Sequence, residues 1–173
     1  MGTTHISLTL ANYICSKLGM KTAYIELNPH NHISALVRKK RKPSFCYKGV
    51  VFYPNTHVTS LPEILRKDYR YFILDMGVLN TYTASEFLRC DKSFLICSPS
   101  KWRKSQLEKK IENLFKHQTK KNCITLIMNL SYEESYFSIS SDFGKRLSFP
   151  YIENPFQIEP RHFRAISLLF KNL

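Results

Sequence analysis

Short apolar runs of strand length alternate along this chain with stretches of helical periodicity. Strands are predicted at residues 22–27, 71–77, 92–97, 123–128 and 149–152, with a hairpin across 45–53. Helices are predicted at residues 6–18, 61–67, 81–88, 102–115 and 161–173, with a short helix at 30–37. This alternation favours an α/β fold, with a mostly parallel sheet and helices on both faces. We expect one domain over residues 1–173, which is long enough to bury a core.

The first predicted helix is preceded by a Gly-Thr-Thr-His tip, residues 2–5. The first turn of a helix has unpaired N–H groups and a positive dipole end, so it attracts anions. A glycine before it allows a phosphate to approach the backbone, and a hydroxyl on the first turn can bind Mg²⁺. The tip therefore predicts the end of a phosphate-binding loop, with Gly2, Thr3, Thr4 and His5 at the nucleotide. A helix N-terminus that binds nothing is the alternative.

Three further segments strengthen the phosphate-binding interpretation. Ala11-Asn12 lies in the first predicted helix. Glu26-Leu27-Asn28 stands at the end of the predicted strand 22–27, and Asp75-Met76-Gly77 ends the predicted strand 71–77. Together with the tip, they resemble the MinD/ParA family of deviant P-loop ATPases, in its Mrp/MinD branch. The resemblance covers most of the chain and implies a P-loop NTPase fold of the SIMIBI/MinD-like type.

The resemblance also implies roles for individual residues. Thr4 and Asp75 would hold Mg²⁺, Asp75 through water, while Glu26 and Asn28 stand where the family orients the attacking water. Asn129 matches the position that commonly meets the adenine edge. The competing interpretations are a helix-capping role for Asp75 and a turn-forming role for Asn129.

Several family features are altered in this sequence. Thr3 stands where the Walker A lysine belongs, and Asn28 lacks the carboxylate that a base would need. The strand that should lead into the loop is missing, so we expect a natural start upstream of Met1. We therefore expect an impaired ATPase with no residue assigned as catalytic, and enzyme activity is left open. The expected cofactor is ATP or ADP with Mg²⁺, or none.

His5 has two interpretations of its own. Its imidazole could supply a proton-dependent positive charge near phosphate in place of the missing lysine. A structural role on the first helical turn is the alternative.

The formal net charge is +13, which favours an acidic partner. The densest block of charge consists of Arg38, Lys39, Lys40, Arg41 and Lys42. It predicts either a contact with polyanion, namely DNA or an anionic membrane, or a solvated loop that binds nothing.

The apolar runs, the cysteines and the last predicted helix bear on the protein's compartment and on contact with a membrane. No apolar run approaches the roughly 20 residues of a membrane span. The five cysteines form no Cys-x-x-Cys pair, which favours reduced thiols in a cytoplasmic protein. Residues 161–173 form an amphipathic helix that either packs on the sheet or attaches to a membrane.

We therefore expect a regulatory or localisation module, cytoplasmic or peripheral to membrane or nucleoid. Its partner would be an acidic surface or a protein, and a homodimer is an open alternative. Two other functions remain: an active partitioning or positioning ATPase with its missing loop residues upstream, and a nucleotide-independent DNA-binding scaffold.

Overall fold

The computed structural model describes residues 2–36, 42–97, 124–129 and 146–170, together with helical positions 109, 112 and 113. The chain divides into two compact units. We call residues 2–78 with 153–159 the amino-terminal unit, and residues 79–152 with 160–173 the carboxyl-terminal unit.

The amino-terminal unit is built on a four-stranded sheet in the order β2-β3-β1-β4. Its strands are β1 (Thr22–Glu26), β2 (Phe45–Tyr47), β3 (Val50–Tyr53) and β4 (Tyr71–Asp75). β1 runs parallel to both β3 and β4, and β2 forms an antiparallel hairpin with β3. The helices are α1 (Thr3–Leu18) and α2 (Leu61–Leu65), with 3-10 turns at Ile33–Leu36 and Val58–Ser60.

Helix α1 ends at Gly19, which has a φ of 67° and donates its N–H to the carbonyl of Ile14. Glycine reaches this left-handed conformation without a Cβ clash, which suits it to end the helix. The helix buries Leu8 and Ala11 in a core cluster that also contains residues of the sheet. Burial of this apolar face supplies the main free energy that fixes α1 on the sheet.

The segment 153–159 belongs to the amino-terminal unit through specific contacts. Asn12 Nδ2 donates to the carbonyl of Pro155 at 3.2 Å. The ring of Phe156 meets the ring of Tyr47 edge-on, with 5.1 Å between centroids, and Lys48 Nζ donates to its carbonyl at 3.1 Å. These contacts fix the segment against α1 and the hairpin.

The carboxyl-terminal unit contains a parallel sheet in the order β5-β6-β7. Its elements are α3 (Thr81–Arg89), β5 (Ser93–Cys97), β6 (Ile124–Asn129), β7 (Arg146–Phe149) and α4 (Pro160–Phe170). The side chain of Asn80 caps α3 by accepting from the N–H groups of Tyr82 and Thr83.

Helix α4 buries Ile166 and Leu169 and contacts β7. This favours the packing interpretation of the predicted C-terminal helix. Among the described helices, none is long and apolar enough to cross a membrane.

The predicted α/β class, with a mostly parallel sheet, is confirmed. Three local predictions need correction or fall outside the described residues. The last strand is Arg146–Phe149 rather than residues 149–152, and the helix at 30–37 is a 3-10 turn over Ile33–Leu36. Most of the predicted helix 102–115 lies outside the described residues. The single domain over 1–173 stays a prediction.

Strands β1 and β4 differ in how they are covered. β1 has a neighbour on each side, and all five of its residues are buried. Within the described ranges, β4 pairs only with β1, and its first four residues are half-buried.

Candidate functional site at the carboxyl ends of β1 and β4

The candidate site is organised by two carboxylates on neighbouring strands. Glu26 ends β1 and Asp75 ends β4, and the two are register partners in the parallel ladder. Parallel strands bring their carboxyl ends to the same edge of a sheet, where such folds bind ligands. Both residues are 0% exposed. Their hydrogen-bond partners therefore decide what they can do.

Glu26 ties two loops to the end of β1. Its Oε2 accepts from the N–H of Asn55 at 3.1 Å, and its Oε1 accepts from the N–H of Ile33 at 3.4 Å. Its carbonyl also accepts from the N–H of Thr56 at 2.8 Å. The side chain that the resemblance places near the attacking water is thus bonded to backbone donors of this chain.

Asp75 has a donor on each carboxylate oxygen. The hydroxyl of Tyr24 donates to Oδ2 at 2.7 Å, and the N–H of Gly77 donates to Oδ1 at 3.1 Å. Burial of Tyr24, the charge of Asp75, their hydrogen bond and the charge of Glu26 raise the pKa of the phenol far above its ordinary value. Tyr24 therefore stays neutral and serves as a permanent donor to Asp75.

Asn28 bridges the loops that follow the two strands. Its Nδ2 donates to the backbone carbonyl of Asp75 at 3.2 Å, and its Oδ1 accepts from the N–H of His30 at 3.1 Å. A Cβ placed on Gly77 would lie 2.9 Å from the Cβ of Asn28, and Gly77 has a φ of 60°. Both facts require glycine there, so the loop after β4 is closely fitted to Asn28.

The N-terminus of α1 lies at this edge of the sheet. Thr3 Oγ1 donates to the carbonyl of Gly77 at 3.3 Å, which joins the helix tip to the loop after Asp75. Gly2 has extended backbone angles, and a Cβ built there would meet nothing within 4 Å. Thr4 and His5 are half-buried. The structure thus joins the Gly-Thr-Thr tip to the Asp75–Gly77 loop through Thr3.

The donor set determines whether these residues fit a metal ion. Mg²⁺ needs oxygen ligands. Each oxygen of Asp75 accepts one hydrogen bond inside a fully buried site, and Asn28 donates its amide N–H to the backbone carbonyl of Asp75. No cluster of three or more His, Cys, Asp or Glu side chains suited to a metal occurs in the part of the chain that the structure describes. These contacts favour a structural role for Asp75, and the assignment of Mg²⁺ to Thr4 and Asp75 stays a prediction.

The remaining predicted residues are placed only in part. Asn129 is the last residue of β6, in the carboxyl-terminal unit, and its side chain lies outside the described residues. The positions 38–41 of the basic block also lie outside them, while Lys42 is described and exposed.

Tyr24 is a site residue that was not predicted from the sequence, where it is only part of the predicted strand 22–27. Its register partner in β4 is Ile73, two positions before Asp75. A phenol inside a strand, with an acid at the end of the neighbouring strand, is the only available signal. Recognising it requires the strand register, which the sequence does not provide.

Comparison with known proteins finds a similar fold but no matching family. No protein-family model and no curated protein matches the chain. A plasmid partition protein from Borrelia burgdorferi is similar in structure, with a TM-score of 0.67 at 11% identity over 99% of this chain and 93% of that one. The MinD cell division protein of Aquifex aeolicus matches at a TM-score of 0.46 and 16% identity, over 74% of this chain and 64% of that one. The chain therefore has the α/β fold of that plasmid partition protein.

Proposed function

We propose that this chain is a MinD/ParA-like module of the Mrp/MinD branch that is impaired in ATP hydrolysis. It acts as a regulatory or localisation module on an acidic surface or a partner protein. The observation that carries the proposal is the state of Asp75, which is fully buried and has a donor on each oxygen. A carboxylate held in this way supports the shape of the loop after β4 instead of facing a metal.

Two further positions support impaired hydrolysis. Phosphoryl transfer is catalysed mainly by positioning and by stabilising charge on the transferred group. Thr3 supplies a neutral hydroxyl where the family has a lysine, and that hydroxyl donates to Gly77. Asn28 has no carboxylate to act as a base, and its amide is bonded to Asp75 and His30.

Nucleotide binding is a separate property from hydrolysis. The open space at Gly2 and the positive dipole end of α1 suit a phosphate. ATP or ADP would bind there through its phosphates, with Asn129 as the proposed adenine contact. Mg²⁺ would add affinity only if Asp75, which is fully buried, came within reach of the ion or of its bound water.

An acidic partner is supported by the net charge of +13. The Arg38–Lys42 block is the proposed polyanion contact, and Lys42 is exposed in the described part of it. We place the protein in the cytoplasm, peripheral to membrane or nucleoid, and keep a homodimer as a proposal. Salt-sensitive retention on duplex DNA that ignores nucleotide would favour the DNA-binding scaffold instead.

The proposal is tested by titrating ATP and ADP with Mg²⁺ and again with the Mg²⁺ chelated. We expect the affinity to change by less than about threefold, which corresponds to ~0.7 kcal/mol. Thr3→Ala, which removes a hydroxyl at the site, is compared with Thr59→Ala, an exposed threonine elsewhere in the amino-terminal unit. A gain of about tenfold or more with Mg²⁺ would contradict the structural role of Asp75. The same titration on a form extended upstream of Met1 separates the active-ATPase alternative.

A further inference from the structure

The amino ends of β1 and β4 lie at the edge of the sheet opposite the candidate site. Thr22 and Tyr71 are register partners, so the residues before them leave the sheet together. The N–H groups of Arg70 and Tyr71 both donate to the carbonyl of Lys21, at 2.9 and 3.2 Å. The end of α1 and the turn between α2 and β4 are thus joined there. We call residues 18–21 and 65–70 the amino-end surface.

The amino-end surface is positively charged. It contains one carboxylate, that of Asp68, and four exposed cations, so its net charge is +3. The cations are Lys21, Arg66, Lys67 and Arg70. Asp68 is bonded to Lys21, and the ammonium of Lys67 lies 5.1 Å from the ring centre of Tyr53. Among the described residues, Arg66 and Arg70 have no carboxylate partner. Two guanidinium groups are therefore available to an external anion.

The same surface exposes apolar side chains. Leu18, Met20 and Leu65 are 40%, 42% and 43% exposed. A single exposed apolar residue is ordinary in a soluble protein. Three of them in two joined segments, next to four cations, form a mixed surface in which each apolar group has a basic neighbour in the sequence.

We propose that the amino-end surface binds the headgroup face of an anionic lipid bilayer. The proposal deepens the proposed function, on which it rests, because it names the acidic surface and the residues that meet it. Lysine and arginine are attracted to anionic headgroups, while leucine and methionine gain by entering the boundary of the acyl chains. Phosphates of a nucleic acid would use the cations but would leave Leu18, Met20 and Leu65 in water.

The surface is held firmly enough to dock as a unit. The rings of Tyr53 and Tyr69 meet nearly perpendicular, and Tyr69 contacts Phe72 in the same way. The hydroxyls of Tyr53 and Tyr69 are 2.9 Å apart. β1 has five residues, so it separates the amino-end surface from the candidate site by roughly 16 Å at ~3.3 Å per residue. A bilayer at one end therefore leaves the phosphate-binding end open.

The test measures binding of the full chain to phosphatidylcholine vesicles with and without phosphatidylglycerol, by co-sedimentation. Arg66→Glu/Arg70→Glu should weaken binding to the anionic vesicles by about tenfold or more. Met20→Ser/Leu65→Ser keeps the charge and should also weaken it by about tenfold, because apolar contact is lost. Each variant changes only exposed side chains, and circular dichroism checks that it is folded.

Matched controls lie on the carboxyl-terminal unit. Lys109→Glu/Arg164→Glu changes the net charge by the same amount as the arginine variant does. Tyr151→Ser/Leu168→Ser removes two exposed apolar side chains, as Met20→Ser/Leu65→Ser does. Both controls should leave the affinity for vesicles within about twofold of the unchanged protein.

Two results would overturn the membrane proposal. One is no binding to anionic vesicles. The other is a combined result: Arg66→Glu/Arg70→Glu loses binding to duplex DNA, and Met20→Ser/Leu65→Ser binds anionic vesicles as well as the unchanged protein does. That result would identify the amino-end surface as a nucleic-acid surface. Neither result changes the outcome of the ATP and ADP titration that tests the proposed function. Failure of the membrane proposal is therefore distinguishable from failure of the proposed function.

Discussion

The two ends of the four-stranded sheet carry charges that the chain uses in opposite ways. At the carboxyl end, Glu26 and Asp75 are fully buried and bonded to donors of the protein itself. At the amino end, Arg66 and Arg70 are exposed, with no carboxylate partner in the described part of the chain. Buried charge must be satisfied internally, while exposed charge remains available to a partner. The comparison shows that the two carboxylates are bonded within the protein, whereas the two guanidinium groups are exposed, as the membrane proposal requires.

The largest effect is expected from Asp75→Ala. The substitution leaves the Tyr24 hydroxyl and the Gly77 N–H without their acceptor in a buried place, so unfolding free energy should fall by about 2–4 kcal/mol. Urea denaturation measures it. Asp68→Ala, at an exposed and solvent-screened ion pair, is the control and should cost far less. A stabilised Asp75→Ala protein would identify Asp75 as a strained functional carboxylate instead.

Tyr24→Phe tests the other half of that hydrogen bond. It leaves a buried carboxylate oxygen without its donor, so we expect a loss of about 1–3 kcal/mol near neutral pH. The raised pKa of Tyr24 also gives a pH signature. The unfolded phenol ionises near pH 10 while the folded one stays protonated, so stability should fall with increasing pH above about 10.

The expected slope is about 1.4 kcal/mol per pH unit for each such group. Tyr69 adds to it, because burial and its hydrogen bond with Tyr53 raise its pKa to about 12. Tyr24→Phe should make the fall of the unfolding free energy with pH less steep, because one of the contributing phenols is gone. Urea denaturation across alkaline pH would measure the difference. An unchanged slope in the variant would contradict the account.

Gly77→Ala should cost about 1–2 kcal/mol, because the left-handed φ of 60° is unfavourable for alanine and the new Cβ meets Asn28. Gly2→Ala is the matched control at the same edge of the sheet. Its extended backbone accepts alanine, and the space around it is open, so a change within about 0.5 kcal/mol is expected. Equal costs at the two glycines, in thermal or urea unfolding, would mean that the loop after β4 is not closely fitted.

The smallest effect on folding is expected at the amino end. Arg66→Glu/Arg70→Glu should change the free energy of unfolding by less than about 0.5 kcal/mol per site, because both side chains are exposed. Together with Asp75→Ala, this variant sharpens the contrast between the two ends. A large destabilisation in urea would show that the arginines also hold the structure together.

The sequence predicted the elements of this fold better than their roles. Hydrophobic patterning is local, so it located α1, β1 and β4. The meeting of the Gly-Thr-Thr tip with the Asp75 loop followed from the family resemblance. The partner of Asp75 could not be predicted, because Tyr24 reaches it only through the register of β1 on β4. The amino-end surface likewise depends on Lys21 meeting Arg70, which lie far apart in the sequence.

Steady-state turnover of ATP with Mg²⁺ tests the central claim most directly. It should be measured on this chain and on a form extended upstream of Met1, each with Thr3 and with Thr3→Lys. The account predicts turnover far below ~1 s⁻¹, the low end of ordinary enzyme rates, whenever Thr3 is present. Losing one preorganised charge at the phosphate commonly costs about 10²–10³ in rate. Turnover near 1 s⁻¹ in either form that retains Thr3 would contradict it.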